Sequence, residues 1–195
     1  MPHSCCSDRN VRSGVGWPKP KWCTSTAPPE LPARPLGERN TGQDFFFYHD
    51  RLWNEINSRN DRQSFQEGLF RTDVLTFDEE SVRESVLNAV AHRDYRHGGS
   101  VFVRQYPKRL EVISPGGFPA GITPENILDG QNPRNRRLAE ALAKCGLIER
   151  SGQGVNLMFE NAVRQGKALP SFVGTTADEV RLTLEGAVQH PDMIR

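Results

Sequence analysis

Glu84 and Asn88 stand four residues apart in TFDEESVRESVLNAVAHRDY, residues 76–95. On a helix that spacing puts both side chains on one face. A carboxylate there can take a proton from an attacking water, and a neutral amide oxygen one turn on can bind a hard cation such as magnesium. His92 continues the same line at i+8. The bland alternative is a solvated helix face that does no chemistry. In RSGQGVNLMFENAV, Gly152 and Gly154 stand just ahead of a helically patterned run. Backbone N–H groups at a helix start bind phosphate with help from the helix dipole, although an ordinary tight turn into a helix has the same sequence. In SPGGFP, Gly116 and Gly117 let backbone approach a flat base or a sugar, and Ser114 offers one neutral hydrogen bond. NPRNRRLAEALAKCG brings Arg134, Arg136 and Arg137 together, a basic cluster able to close over phosphates or lie on nucleic acid. A solvated first turn would look alike, and the cost of arginines at a helix N-terminus is at most about 1 kcal/mol.

The triplet His92-Arg93-Asp94 also opens the catalytic loop of protein kinases, but that loop needs an Asn five residues after the Asp, where this chain has Gly99. No D-F-G triplet follows it. Arg93 is read either as a partner of Asp94 or a phosphate contact, or as part of helix-end ion pairs that fix a loop.

The elements that must carry these residues can be sketched from pattern. Thr76 and Glu79 have capping-box spacing, so a helix is expected to start near Thr76 or Asp78, with Gly98 and Gly99 ending the segment. Val82, Val86, Leu87, Ala89 and Val90 fall on its apolar arc, opposite Glu84, Asn88 and His92. SVFVRQYPKRLEVIS alternates with period two and turns at Pro107-Lys108-Arg109, a hairpin. PGGFPAGITPENI is a loop, and two helices joined by a glycine-containing turn follow before DEVRLTLEG closes as a strand. Upstream, DFFFYHDRLWNEINSRN reads as a short helix and EGLFR as a short strand or turn.

With 195 residues and a formal net charge of +1, the chain fits one domain and gives no global electrostatic reason to expect nucleic acid or a membrane surface. Residues 1–42, rich in Pro, Gly, Ser and Arg, are expected to be disordered or foreign to the domain, which is placed at 43–187 with a tail at 188–195. Cys5, Cys6, Cys23 and Cys145 have neither disulfide-framework nor zinc-site spacing. Without a membrane-length apolar run or a signal-peptide centre, the expected compartment is the cytoplasm.

The order of helix with E-x-x-x-N, hairpin, Pro-Gly-Gly loop and G-x-G turn resembles the GHKL (Bergerat-fold) ATPases, which include gyrase B subunits, MutL proteins and histidine kinases. ESVLNAVAHRDY, LEVISPGGFPAGIT, NPRNRRLAEAL and GLIERSGQGV look more closely like the divergent GHKL-type (HATPase) domain at the C-terminal end of RecG-like proteins and of predicted transcriptional regulators with an N-terminal Schlafen-type AlbA domain. The resemblance runs from about residue 65 to 185. It implies an α+β fold, a two-layer sandwich with a mixed, mostly antiparallel sheet and helices on one face. It implies ATP and Mg²⁺ as ligands, Glu84 as general base, Asn88 as the magnesium ligand, His92 and Arg93 as extensions of that motif, and Arg134 and Asn135 in a mobile lid. Ser114, Gly116 and Gly117 match the nucleotide-binding loop, which here lacks the family's adenine-binding Asp, and Gly152 and Gly154 match the second glycine box. The function implied is a nucleotide-binding regulatory module or a slow magnesium-dependent ATPase. Two alternatives stay open: a winged-helix-like DNA-binding module using Arg134–Arg137, or a domain that keeps the fold and binds nothing. DNA contact through a separate N-terminal domain, homodimerisation, and the chain's being part of a longer protein are open on the same grounds.

Overall fold

A computed structural model describes the backbone of Arg34–Leu36 and residues 45–67, 69–130, 132–148 and 154–194. Its central helix is α2 (Glu79–His92), and Asp78 starts it: with extended backbone, Asp78 accepts the Ser81 N–H at 2.8 Å. The expected Thr76–Glu79 capping box does not form. Thr76 is buried and gives its hydroxyl to the Asp61 carbonyl at 3.0 Å, so the residue next to the first turn takes the cap. Val82, Val86 and Leu87 are buried as the wheel requires, whereas Ala89 and Val90 are half-buried. The helix stops at Arg93, earlier than Gly98 and Gly99, because Arg93 turns extended and Asp94 accepts the Arg96 N–H at 2.9 Å in a tight turn.

The hairpin read from period two is present as β4 (Val101–Tyr106) and β5 (Arg109–Pro115), in antiparallel register from Phe102 opposite Ile113 to Tyr106 opposite Arg109. β6 (Glu179–Glu185) pairs antiparallel with β5, and β1 (Arg34–Leu36) pairs antiparallel with β4, giving the order β1-β4-β5-β6. The reading of residues 1–42 as disordered or foreign to the domain falls outside the described residues except at Arg34–Leu36, which is strand. Within EGLFR, Glu67 ends β2 (Arg62–Glu67) and pairs with Phe70 at the start of β3 (Phe70–Leu75), a second antiparallel hairpin. The remaining helices are α1 (Phe45–Asn57), α3 (Arg136–Lys144) and α4 (Gly154–Arg164).

Alternation along the sheet decides its two faces. Val101 and Val103, Leu110 and Val112, and Leu182 and Leu184 form one core with Val82 and Val86 of α2, Met158 of α4 and Ile56 of α1. Each such fully buried side chain contributes about 1.5–3 kcal/mol. The opposite face is polar: Glu111 lies 3.1 Å from Arg109, 3.9 Å from Arg181 and 4.0 Å from Arg104. The result is the expected α+β two-layer sandwich, with every described strand pairing antiparallel. Beyond β6 the Gln189 and His190 N–H groups both donate to the Gly166 carbonyl.

Candidate functional site

Ser114 continues the inward row Leu110, Val112 along β5, and this row runs out beneath α2 where Glu84, Asn88 and His92 point down. Between them is a cavity of about 580 Å³. Gly116 and Gly117, α3 and the first residue of α4, Gly154, complete its wall. The volume lies inside the roughly 300–1,000 Å³ of small-molecule sites. Segments far apart in sequence therefore meet at one hollow, and the solvated-face alternative for Glu84 fails because that residue is only 4 % exposed.

Gly154 lies directly against the acid and the amide. A methyl group on it would overlap Oε2 of Glu84 and lie 3.6 Å from Nδ2 of Asn88, so the observed place of the Glu84 carboxylate depends on glycine here. Asn88 Nδ2 is buried with no hydrogen-bond partner among the described residues. Leaving such a donor unmet costs about 1–3 kcal/mol, so it marks where an acceptor on a ligand would be favoured. Gly152, the other glycine of that box, lies outside the described residues.

Ser114 donates its hydroxyl proton to the Ala89 carbonyl at 2.8 Å. Its oxygen therefore meets a ligand only as an acceptor. His92 also lines the cavity, and burial, with the Arg134 charge adding, pushes its imidazole below the ordinary value.

Four sequence-predicted residues stand behind the cavity rather than on it. Arg93 donates to the Gly99 carbonyl at 2.6 Å and lies over the Tyr95 ring, 4.7 Å from its centroid. It does not pair with Asp94. The Asp94 carboxylate instead takes Arg96, at 2.9 and 3.1 Å, and Arg134, at 2.9 Å, and the Arg96 guanidinium above all holds it well below the usual carboxylate range. Arg134 also donates to the Gly117 carbonyl at 2.6 Å, and the Asn135 amide donates to the carbonyls of Ala91 at 2.9 Å and Arg93 at 2.7 Å. Loop fixing, the structural alternative for the His-Arg-Asp segment, is what Arg93 and Asp94 do here.

Sequence reasoning missed two charged residues of α3 that line the cavity, Glu140 and Lys144. Arg136, Glu140 and Lys144 recur at i, i+4, i+8, which is one helical face and was the available signal. Arg136 pairs with Glu140 at 3.1 Å on the exposed rim. Nor was Phe118 marked, whose ring packs on Phe172 at 5.5 Å between centroids beside the glycine loop.

Among the described residues there is no group of three or more His, Cys, Asp or Glu side chains able to hold a metal ion. A cation here would have Asn88 as its protein ligand and depend on ligand oxygens for the rest. Among the same residues no helix is long and apolar enough to cross a membrane.

Residues 98–184 match the family model described as "Putative ATP-dependent DNA helicase recG C-terminal". That match begins after α2, so it does not itself include Glu84 and Asn88. Among solved structures, the DIP2311 protein from Corynebacterium diphtheriae is similar, with 32% identity and a TM-score of 0.68 over 74% of this chain and 30% of that one. The chain thus spans under a third of the length of that solved protein. No curated protein matches it. The two matches support a distant HATPase-like domain, the coarse part of what the motifs imply.

Proposed function

We propose that the cavity binds a nucleoside triphosphate together with magnesium, as the switch of a regulatory protein or as a slow ATPase. One observation carries this reading: the backbone of Gly154, at the start of α4, lies against Glu84 and beside the unpartnered Asn88 amide, all three on a cavity of nucleotide size. A helix start favours phosphate through free N–H groups and the helix dipole. Asn88 would hold the cation through its amide oxygen, and the chemistry supplied there is neutralisation of phosphate charge. Glu84 is the acid placed to take a proton from a water aimed at the terminal phosphate. Arg136 and Lys144 bring positive charge from α3.

Titration with a non-hydrolysable ATP analogue and Mg²⁺ tests this. Asn88→Ala is expected to bind about tenfold more weakly than the wild type, equivalent to about 1.4 kcal/mol. Equal affinities would remove Asn88 from the site. A melting temperature raised by duplex DNA, with steep salt dependence, and unmoved by nucleotide would favour the DNA-binding alternative.

Ser114 predicts the base preference. An acceptor-only oxygen suits an exocyclic amino group and opposes a carbonyl, and one neutral hydrogen bond contributes about 0.5–1.5 kcal/mol. The adenine analogue is therefore expected to bind up to about tenfold tighter than the hypoxanthine analogue. Ser114→Ala should erase that difference, weakening the adenine analogue and relieving the repulsion felt by the hypoxanthine analogue; a preference that survives the substitution would move base reading elsewhere in the cavity.

A further inference from the structure

Asp94 is 4 % exposed and does not line the cavity, yet its carboxylate accepts from the Arg96 backbone N–H and from the guanidinium groups of Arg96 and Arg134. Its backbone N–H donates to the Pro115 carbonyl at 2.9 Å, joining the end of α2 to the end of β5. Through Arg134 its carboxylate reaches the Gly117 carbonyl and the residues that lead into α3. Gly116, at φ +89°, closes on this contact: a methyl group there would stand 2.5 Å from Asp94 Cβ and 2.7 Å from Arg134 Nη1. The neighbouring Asn135 amide ties the same entrance of α3 to the last carbonyls of α2.

We infer that Asp94 is a positioning residue: by clamping Arg134 it sets where α3, with Arg136 and Lys144, stands relative to the glycine rim, and so sets the cavity's grip on an anionic ligand. Arg134 is thereby a strut, and among the described residues the Lys and Arg side chains on the cavity wall are Arg136 and Lys144 of α3. What the cavity grips rests on the nucleotide reading; the clamp itself does not. A carboxylate between two guanidinium groups is the strong case of charge-assisted hydrogen bonding, and Arg134 makes both of its bonds only because its fork is planar and fixed.

Asp94→Asn is nearly isosteric and keeps its one oxygen for the Arg96 backbone N–H, which sets an NH₂ against the Arg134 guanidinium. Arg134→Lys keeps the charge and loses the fork, and serves as the second variant should Asp94→Asn fold poorly. The first readout needs no nucleotide: trypsin cleavage after the exposed Arg136 and Arg137, followed by mass spectrometry. In either variant it should accelerate by about tenfold, as a local opening made easier by that factor requires. The second readout separates positioning from general destabilisation. Affinity for the Mg²⁺-bound triphosphate analogue should fall about tenfold while affinity for adenosine changes by less than about twofold. Unchanged cleavage at α3 overturns the clamp, and equal losses for the two ligands overturn the positioning role. Faster cleavage in a protein whose wild type binds no nucleotide would keep the clamp and reject the nucleotide reading.

Discussion

Gly154→Ala is expected to leave the protein folded and to weaken binding of a triphosphate analogue about a hundredfold, roughly 2.7 kcal/mol. Alanine is the better helix former by up to about 1 kcal/mol, so no loss of helix propensity can account for such a fall. The loss comes from what the new methyl meets. It would overlap Oε2 of Glu84, the far end of a buried side chain on α2, and that carboxylate must turn away. The space beside it is the cavity and the Asn88 amide. A negative charge pushed there stands where an anionic ligand belongs, and two charges about 4 Å apart at an effective dielectric near 20 repel by about 4 kcal/mol. Gly98→Ala is the control, because a methyl at Gly98 meets nothing within 4 Å. Isothermal titration of both variants, with melting curves to establish folding, checks the expectation. Near-wild-type affinity in a folded Gly154→Ala protein would remove the start of α4 from the binding site.

The same glycine shows how far the sequence could be read. Its place ahead of an apolar helical run was legible, since turn chemistry and periodicity are local. That it lies against Glu84 was not, because the contact joins residues 70 positions apart. The β4–β5 hairpin was legible through period two and a tight Pro107-Lys108 turn, whereas Arg34–Leu36 has no strand pattern of its own and is strand because β4 offers it an edge. Glu84 fell opposite the apolar arc of α2 and so looked solvated; it is buried because α4 covers the face that a lone helix would leave to water. Asp94 was visible only as part of a triplet whose partner, Arg134, follows 40 residues later. Composition and spacing thus located the groups able to do chemistry, and long-range packing decided which of them face the cavity.

The elements that aim α2 depend on a buried amine, and removing it should have the largest effect on stability. Lys167, 7 % exposed just beyond α4, donates to the carbonyls of Leu75 at 2.7 Å and Thr76 at 2.9 Å and to Gln165 Oε1 at 2.5 Å. Those two carbonyls lie directly ahead of Asp78, the cap of α2, which also accepts from Asn161 of α4 at 3.3 Å. Lys167→Met keeps the length of the stem and leaves both carbonyls without this donor, a loss of about 3 kcal/mol, seen as a fall of about 6–12 °C in melting temperature. Burial pushes the Lys167 amine down to about 8, against an ordinary 10.5, with the Asp78 charge opposing the shift. Between pH 8 and 10.5 the unfolded chain therefore holds a proton on this group that the folded one has released, and the group's contribution to stability rises with pH across that window. Below pH 8 both states are protonated, and this group contributes no slope. The neutral amine keeps two N–H groups for the two carbonyls and gives up the bond to Gln165 Oε1, so deprotonation does not undo the tie to the backbone ahead of α2. The stability gap between wild type and Lys167→Met should accordingly widen by on the order of 2 kcal/mol from pH 8 to 10.5 in urea titrations, with other titrating groups cancelling in the difference. A gap that stays level or narrows would mean that the three acceptor oxygens hold the ammonium form against burial, and the tie at the head of α2 would then be an ionic one.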